Sequence, residues 1–434
     1  MDTTDKACAL LLGIPPKSLG GIDLTSFTIT AQFKGIRNLP EGWHFIFCSS
    51  SNSFSVRHGA WFQVKASNDS PPLIVLKWNP DEEKLSVVTD PTALLQYRAN
   101  MGQIWKDNLT PYRQSSGRSG DEDDELKTRD WRHLTDCINP ALLDRLLGSG
   151  AHNWLLTSAS SAAVDADDIP NLHAPGSTHS GVQEEKELSV LPIDLKRTWR
   201  PGATGRERTE AARDHSWYLR SVVDEHTDDK DGQEVVGELQ FCFLMVLVLN
   251  NFSCLEQWKR ILSLLFTSIT AVAERPALFV KAIRLVAVQI KHVTDAETGM
   301  FDMEDSEGKF LKNLLKKFRI GLKNLDEGLA KQDVNEELEE LLGFLKSAYG
   351  WDLDDAYVLK HGMLQLEDGE MVQADFSEGD EDEEEGEYAP TVVELTEEQL
   401  RNLGATSELS PKEQMREEIE EDKIREDHSE KWLR

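Results

Sequence analysis

Three side chains near the amino terminus have the makings of a nucleophilic site: His44, Cys48 and His58, one thiol between two imidazoles in the sequence. An imidazole in hydrogen-bond reach of a thiol can hold it as the reactive thiolate. His44 and Cys48 are four residues apart, so on a strand they share a face but stand roughly 13 Å apart along it, too far to touch. Two readings stay open, a hydrolase with a Cys/His site and the plain filling of a β core or its rim. The remaining sequence offers little else to react with. Gly20-Gly21 and Gly202-Ala203-Thr204-Gly205 have neither the GxGxxG nor the GxxxxGK[ST] spacing, and there is no HExxH, GxSxG or kinase signature. Cys8, Cys48, Cys137, Cys242 and Cys254 are odd in number with no CxxC pair, which fits reduced thiols and neither a disulfide framework nor zinc. No catalytic residue, no metal site and no cofactor is expected, and the chain reads as a non-enzyme.

Charge points to the kind of partner. Against 47 Lys and Arg stand 78 Asp and Glu, a net charge of −31. Such a field repels phosphate backbones, so no direct nucleic acid binding is expected and a basic protein is the natural partner. With no basic residues seen interleaved among them, most of the eleven tryptophans therefore read as core anchors and not as base-stacking platforms, and His215-Ser216-Trp217-Tyr218 and Trp351-Asp352-Leu353 as packing elements. The longest apolar run, Phe241 to Leu249, is nine residues and reads as a buried helix, well short of the roughly 20 that span a bilayer. The opening MDTTDKACALLLG lacks a basic n-region, so no membrane and no secretory signal is expected.

The elements that must position these residues change along the 434-residue chain. Residues 1–156 read as a β-rich domain with capping helices: strand-prone runs at Phe27 to Phe33, Trp43 to Cys48, Trp61 to Lys65, Leu73 to Trp78 and Lys84 to Val88, punctuated by Gly20-Gly21 and other turn residues. Helical periodicity follows from Pro91 to Leu147, and the acidic run Asp121 to Glu125 reads as a solvated loop. Residues 157–186 are poor in large apolar groups and read as a flexible linker. Residues 187–360 hold five apolar stripes at helical spacing, with Pro276 as a first-turn proline between two of them, which predicts an all-helical domain. Residues 361–434 form an acidic tail, predicted to be largely disordered. Within it, Tyr388-Ala389-Pro390-Thr391-Val392-Val393-Glu394-Leu395 carries the branched residues of a strand, with no pairing neighbour in sequence. The fold class is α+β. A lone strand of this kind can add to an open sheet edge of another protein, fold back on its own domain or stay unfolded.

Three motifs carry a family resemblance. Gly21-Ile22-Asp23-Leu24 with Phe33 to Phe45 and Leu76-Lys77-Trp78 comes first, then Gly237-Glu238-Leu239-Gln240-Phe241-Cys242-Phe243 with Glu256-Gln257-Trp258-Lys259-Arg260-Ile261-Leu262, then Tyr388 to Leu395. In that order they resemble the Aar-two family of pre-mRNA splicing factors, also called cistron-splicing factors. The resemblance implies an assembly factor of the U5 small nuclear ribonucleoprotein, in cytoplasm and nucleus, that binds the large U5 scaffold protein in the spliceosomal U5 precursor. It further implies that the partner surface involves an RNase-H-like and a Jab/MPN-like domain with the tail strand between them. Tyr388, Thr391, Val392, Val393, Glu394 and Leu395 would then bind the partner, with Val392, Val393 and Leu395 as anchors. The acidic stretch before Tyr388 and the extension after Glu398 have no counterpart in that pattern. Ser377 with Asp380, and Thr391 with Glu394, suit an acid-directed kinase. A cytosolic trafficking adaptor with a helical lipid-binding domain is the other alternative, which the acidity opposes.

Overall fold

Successive residues of a strand point to opposite faces, and in Ala7–Leu12 both sets are apolar. The segment therefore sits inside, as β1. A computed structural model describes residues 7–51, 55–66, 71–113, 121–161, 186–293, 306–351, 353, 359–365 and 371–377. β1 is the middle strand of a five-stranded sheet that also contains β4 (Gly35–Leu39), β7 (Leu73–Asn79), β8 (Lys84–Val87) and β9 (Leu109–Pro111), in the order β8-β7-β1-β4-β9. A second sheet runs β10-β6-β5-β2-β3, from β2 (Leu19–Ile22), β3 (Thr25–Thr28), β5 (Gly42–Ser49), β6 (Arg57–Val64) and β10 (Leu155–Thr157).

The two sheets form a sandwich, as expected, and neither faces water on both sides. Ala7, Ala9 and Leu11 meet Ile46, Cys48, Ala60 and Phe62 in the inner core. Cys8 and Leu10, on the other face of β1, pack with Leu94, Tyr97, Met101 and Ile104 of α1 (Pro91–Ala99) and α2 (Met101–Asn108). Burial on both faces is why the hydrophobic alternation in the sequence is so imperfect.

Several sequence expectations are corrected here. Gly20-Gly21 is not a chain reversal but lies within β2, because Phe47 occupies the space above it: a Cβ on Gly21 would stand 2.1 Å from the Phe47 ring. Gly59 in β6 plays the same part beneath Phe45, where a Cβ would stand 2.0 Å from that ring. The run Phe27 to Phe33 is strand only to Thr28, after which Phe33 folds back to place its ring 5.2 Å from Phe27. Asp121 to Glu125 is not a loop: it opens α3 (Asp121–His133), and carboxylates at a helix amino terminus are favoured by the helix dipole.

The outer face of the second sheet joins the helices. Trp43, Phe45, Phe47 and Trp61 share one continuous core with α3, α4 (Pro140–Leu147), α6 (Ser216–His226), α7 (Gln233–Leu249), α8 (Phe252–Phe266), α10 (Pro276–Lys291), α11 (Ser306–Asn324) and α12 (Leu329–Tyr349). The Trp61 ring lies 6.2 Å from Phe241 of α7 and 6.1 Å from Trp131 of α3. At the centre is α7, in which every residue after Gln233 is buried, so the Phe241 to Leu249 run is indeed a buried helix. Pro276 occupies the first turn of α10 as predicted, directly after the short α9 (Ala271–Glu274). α5 (Gly205–Arg213) is absent from the five apolar stripes because it has no apolar face, and α6 because its three inward residues, Leu219, Val222 and Val223, make only a short stripe. Of the 157–186 segment, 162–185 fall outside the described residues. Of the carboxy-terminal 74 residues, those described belong to β11 (Leu359–Gln365) and β12 (Met371–Ser377), which pair with each other, and the others lie outside the described residues.

Candidate functional site

The structure brings two of the three proposed reactive residues together and then removes their chemistry. The β5–β6 register sets Cys48 opposite His58 and His44 opposite Phe62. Cys48 is fully buried, and burial pushes its thiol up to about 12, so it holds its proton at neutral pH and cannot be the nucleophile. The His58 ring packs edge-on against Trp78 at 5.0 Å. All five thiols are buried and free of disulfides. Among the described residues, no group of three or more His, Cys, Asp or Glu is placed to hold a metal ion, and no helix is long and apolar enough to cross a membrane.

His44 has a different role. Its Nδ1 lies 2.7 Å from Asp23 Oδ2 and its Nε2 2.9 Å from the Pro40 carbonyl oxygen, so an imidazolium can donate to both. Asp23 also accepts from the Tyr112 hydroxyl at 2.7 Å and from the Phe45 amide at 2.8 Å. Burial alone would lower the His44 pKa, but the Asp23 charge and the two hydrogen bonds outweigh it and hold the group above its ordinary value of 6.5. A raised folded-state pKa stabilises the fold fully below the unfolded value, and that contribution is lost as pH rises through the folded one. As the pH is raised above the ordinary histidine value of 6.5, His44 should make a contribution that lowers the thermal unfolding midpoint, and His44→Gln should flatten the profile there. An identical pH profile for the variant would show that His44 is not charged in the fold.

The second motif of the sequence forms a second buried polar clamp. Glu238 of α7 is 0% exposed; it pairs with Arg145 Nη2 at 2.8 Å, and accepts from the Leu191 amide at 2.9 Å and from Gln257 Nε2 of α8 at 2.7 Å. Burial raises the Glu238 carboxyl, while Arg145, Leu191 and Gln257 pull the other way. Gln240 accepts from the Cys137 amide at 2.9 Å and donates to the His133 carbonyl at 2.9 Å, tying α7 to the α3–α4 connection. Trp258 Nε1 donates to Gln289 Oε1 of α10 at 3.0 Å. Gly237 is required where α7 crosses that connection, since a Cβ would meet the Cys137 carbonyl oxygen at 2.8 Å. Buried polar groups of this kind are costly unless paired, and here their partners lie on different elements, so they fix how those elements dock. The family-like residues are thus joints of the body, and spacing alone gave no sign of which partners they take.

For a partner, the body offers a groove of about 830 Å3 between α3, α10 and α12. Its apolar lining includes Val280, Ile283 and Leu341, and Lys291 Nζ stands 6.0 Å over the Phe344 ring. Its rim carries both signs, with Lys281 3.4 Å from Asp136 and Arg284 paired with Glu337. Asp130, also in the lining, lies 3.1 Å from His292 Nε2, so these charged groups of the groove are engaged with partners within the chain. Tyr388, Thr391, Val392, Val393, Glu394 and Leu395 lie outside the described residues, and Ser377 is the last residue of β12. Trp351 is buried as expected, but Trp217 is 39% exposed and is no packing element. Its neighbours explain why: α6 turns Leu219, Val222 and Val223 inward, leaving position 217 on the outer face.

The fold is thus a β-sandwich and a set of helices that share one hydrophobic core, with buried polar pairs fixing how the helices dock. Comparison with known proteins gives the family. Residues 5–148 match the AAR2 N-terminal domain and residues 191–354 the AAR2 C-terminal repeat region, so the chain belongs to the AAR2 family. It is 25% identical to the mouse (Mus musculus) protein AAR2 homolog over 80% of this chain and 90% of that protein. It is 23% identical to the Caenorhabditis elegans protein AAR2 homolog, over 80% of this chain and 95% of that one. The Saccharomyces cerevisiae protein named A1 cistron-splicing factor AAR2 is 23% identical over 58% of this chain and 68% of its own length.

Proposed function

We propose that this protein is a pre-mRNA splicing factor acting as a non-catalytic assembly chaperone of the U5 small nuclear ribonucleoprotein, in cytoplasm and nucleus. It binds the large U5 scaffold protein through the folded body and through strand addition by Tyr388 to Leu395, and blocks premature RNA or helicase contacts on that scaffold. The observation that carries this reading is the family match across both the sandwich and the helical body, which includes a relative named as a splicing factor. The net charge of −31 supports a basic partner, and the buried Cys48 thiol removes the support for a hydrolase. Phosphate on Thr391 would add about −1.5 to −2 charge within the added strand and weaken it; Ser377 is the second acid-directed site.

The test is capture from cell extract by the full chain, by a chain truncated before Tyr388 and by Thr391→Glu, with the largest retained protein identified. Truncation should lose most of the scaffold and Thr391→Glu should lose part of it. Equal capture by all three would discard the tail mechanism, and absence of the scaffold from the full-chain capture would discard the function.

A further inference from the structure

The segment from Leu195 to Val222 reverses the charge of the molecule. It contains seven cations, Lys196, Arg197, Arg200, Arg206, Arg208, Arg213 and Arg220, against Glu207, Glu210 and Asp214, a local net charge of 7 − 3 = +4 in a chain of −31, with Asp194 on one flank and Asp224 and Glu225 on the other. Both of its tryptophans are set among arginines, in Arg197-Thr198-Trp199-Arg200 and in Arg213 to Arg220 around Trp217. Basic neighbours of this kind set these two tryptophans apart from the reading of the tryptophans as core anchors.

The fold displays these residues on one small unit. The extended segment before α5 is clipped to it by Thr198 Oγ1, which donates to the Ala211 carbonyl at 2.9 Å, and to α6 by the Tyr218 hydroxyl, which donates to the Pro192 carbonyl at 3.0 Å. Thr204 and Glu207 close a capping box at the start of α5. α5 has no buried residue, so it adds almost nothing to the core. A helix with no buried residue, held by a capping box and one side-chain clip, is poorly explained by packing. Arg208 lies over the Trp199 ring at 5.6 Å. Trp217 is 39% exposed, and Arg220, three residues on, shares its face of α6.

Three of the guanidiniums bond carboxylates of the chain: Arg200 to Glu207, Arg206 to Glu210 at 3.1 Å, and Arg220 to Glu274. Their side chains are nevertheless 61%, 66% and 47% exposed, and a guanidinium has five N–H donors, so each keeps donors for an incoming oxyanion. Arginine prevails over lysine by six to one, which favours planar, bidentate recognition of phosphate.

We infer that the α5–α6 surface, with Trp217 as its stacking platform and the surrounding arginines as phosphate contacts, binds a short single-stranded nucleic acid. One exposed indole with exposed arginines on the same two helices suits a strand that offers both a base to stack and phosphates to pair; a run of carboxylates on a protein would match the arginines but leave the exposed indole without a planar partner. The overall −31 charge restricts binding to close range and makes it strongly salt-dependent. Trp217 and these arginines are not among the residues assigned to tail strand addition.

The test uses the full chain and a labelled twelve-nucleotide oligouridylate, followed by fluorescence anisotropy at about 50 and about 200 mM salt. Binding is expected at low salt. Trp217→Ala should weaken it by about tenfold, the loss expected for one stacked base. Arg206→Gln with Arg213→Gln should reduce the salt slope by about 1.4, which is about 0.7 per phosphate contact on a single strand. All three positions are exposed, so unchanged unfolding midpoints will show that the variants are folded. Absence of binding at low salt, equal binding by the variants, or equal displacement of the oligonucleotide by polyglutamate would each overturn the inference.

Discussion

Replacing Arg145 with methionine should destabilise the folded body by about 3–5 kcal/mol and lower its thermal midpoint on the order of 5 °C. Arg145 comes from α4 and meets α7 at two points, with Nε donating to Glu234 at 2.6 Å and Nη2 pairing with Glu238 at 2.8 Å. Its Nη1 donates to the Ser189 carbonyl at 2.9 Å. Methionine fills much of the same volume but leaves Glu238 fully buried, facing only the Leu191 amide and the Gln257 side chain. The cost is that of an uncompensated buried charge rather than the net value of the pair. A double variant, Arg145→Met with Glu238→Leu, removes both charges and should recover a large part of the loss, leaving the unpaired Leu191 amide and Gln257 as the remainder. If Arg145→Met unfolds within about 0.5 kcal/mol of the parent, the clamp is not a stability element.

Trp61→Ala should cost about 3–5 kcal/mol, and its main interest is which signals move together. Trp61 is 1% exposed on β6, with Phe45 5.0 Å from its ring and with Trp131 and Phe241 beyond. If the sandwich and the helices share a core, loss of this ring should shift the far-ultraviolet helical signal and the near-ultraviolet tryptophan signal to the same lower midpoint. Two separated transitions, with the helical one unmoved, would mean that the bodies are energetically independent. Trp61→Phe should cost much less, because the Trp61 indole N–H is buried without a hydrogen-bond partner and phenylalanine removes that unmet donor while keeping most of the apolar area.

Much of the candidate chemistry was legible for a simple reason: reactive side chains need neighbours at definite spacing, and the sequence has few. The motifs named from the family pattern, Asp23 with His44 and Glu238 with Gln257, turn out to bond each other across 21 and 19 residues. Their pairing was not readable, since strand register and helix docking bring them together, not local spacing. Trp217 was misread because a tryptophan anywhere is more often buried than exposed, and only the facing of α6 decides its case. The tail residues Tyr388 to Leu395 stand as the sequence leaves them, a strand-prone segment whose partner is tested by capture.

The chain's own pattern determines the class of fold, the helices with strong apolar periodicity, the strands of the sandwich that lie between turn residues, and the acidic balance that selects among partners. These depend on short-range terms: side-chain size, backbone preference and net charge. Tertiary structure decided that Gly20 and Gly21 belong to a strand, one facing Ile29 and the other under Phe47, that Asp121 to Glu125 begins a helix, and that sheet and helices share one core. Each of those outcomes turns on atoms distant in sequence that compete for the same few ångströms of space, and no local pattern encodes which of them arrives there.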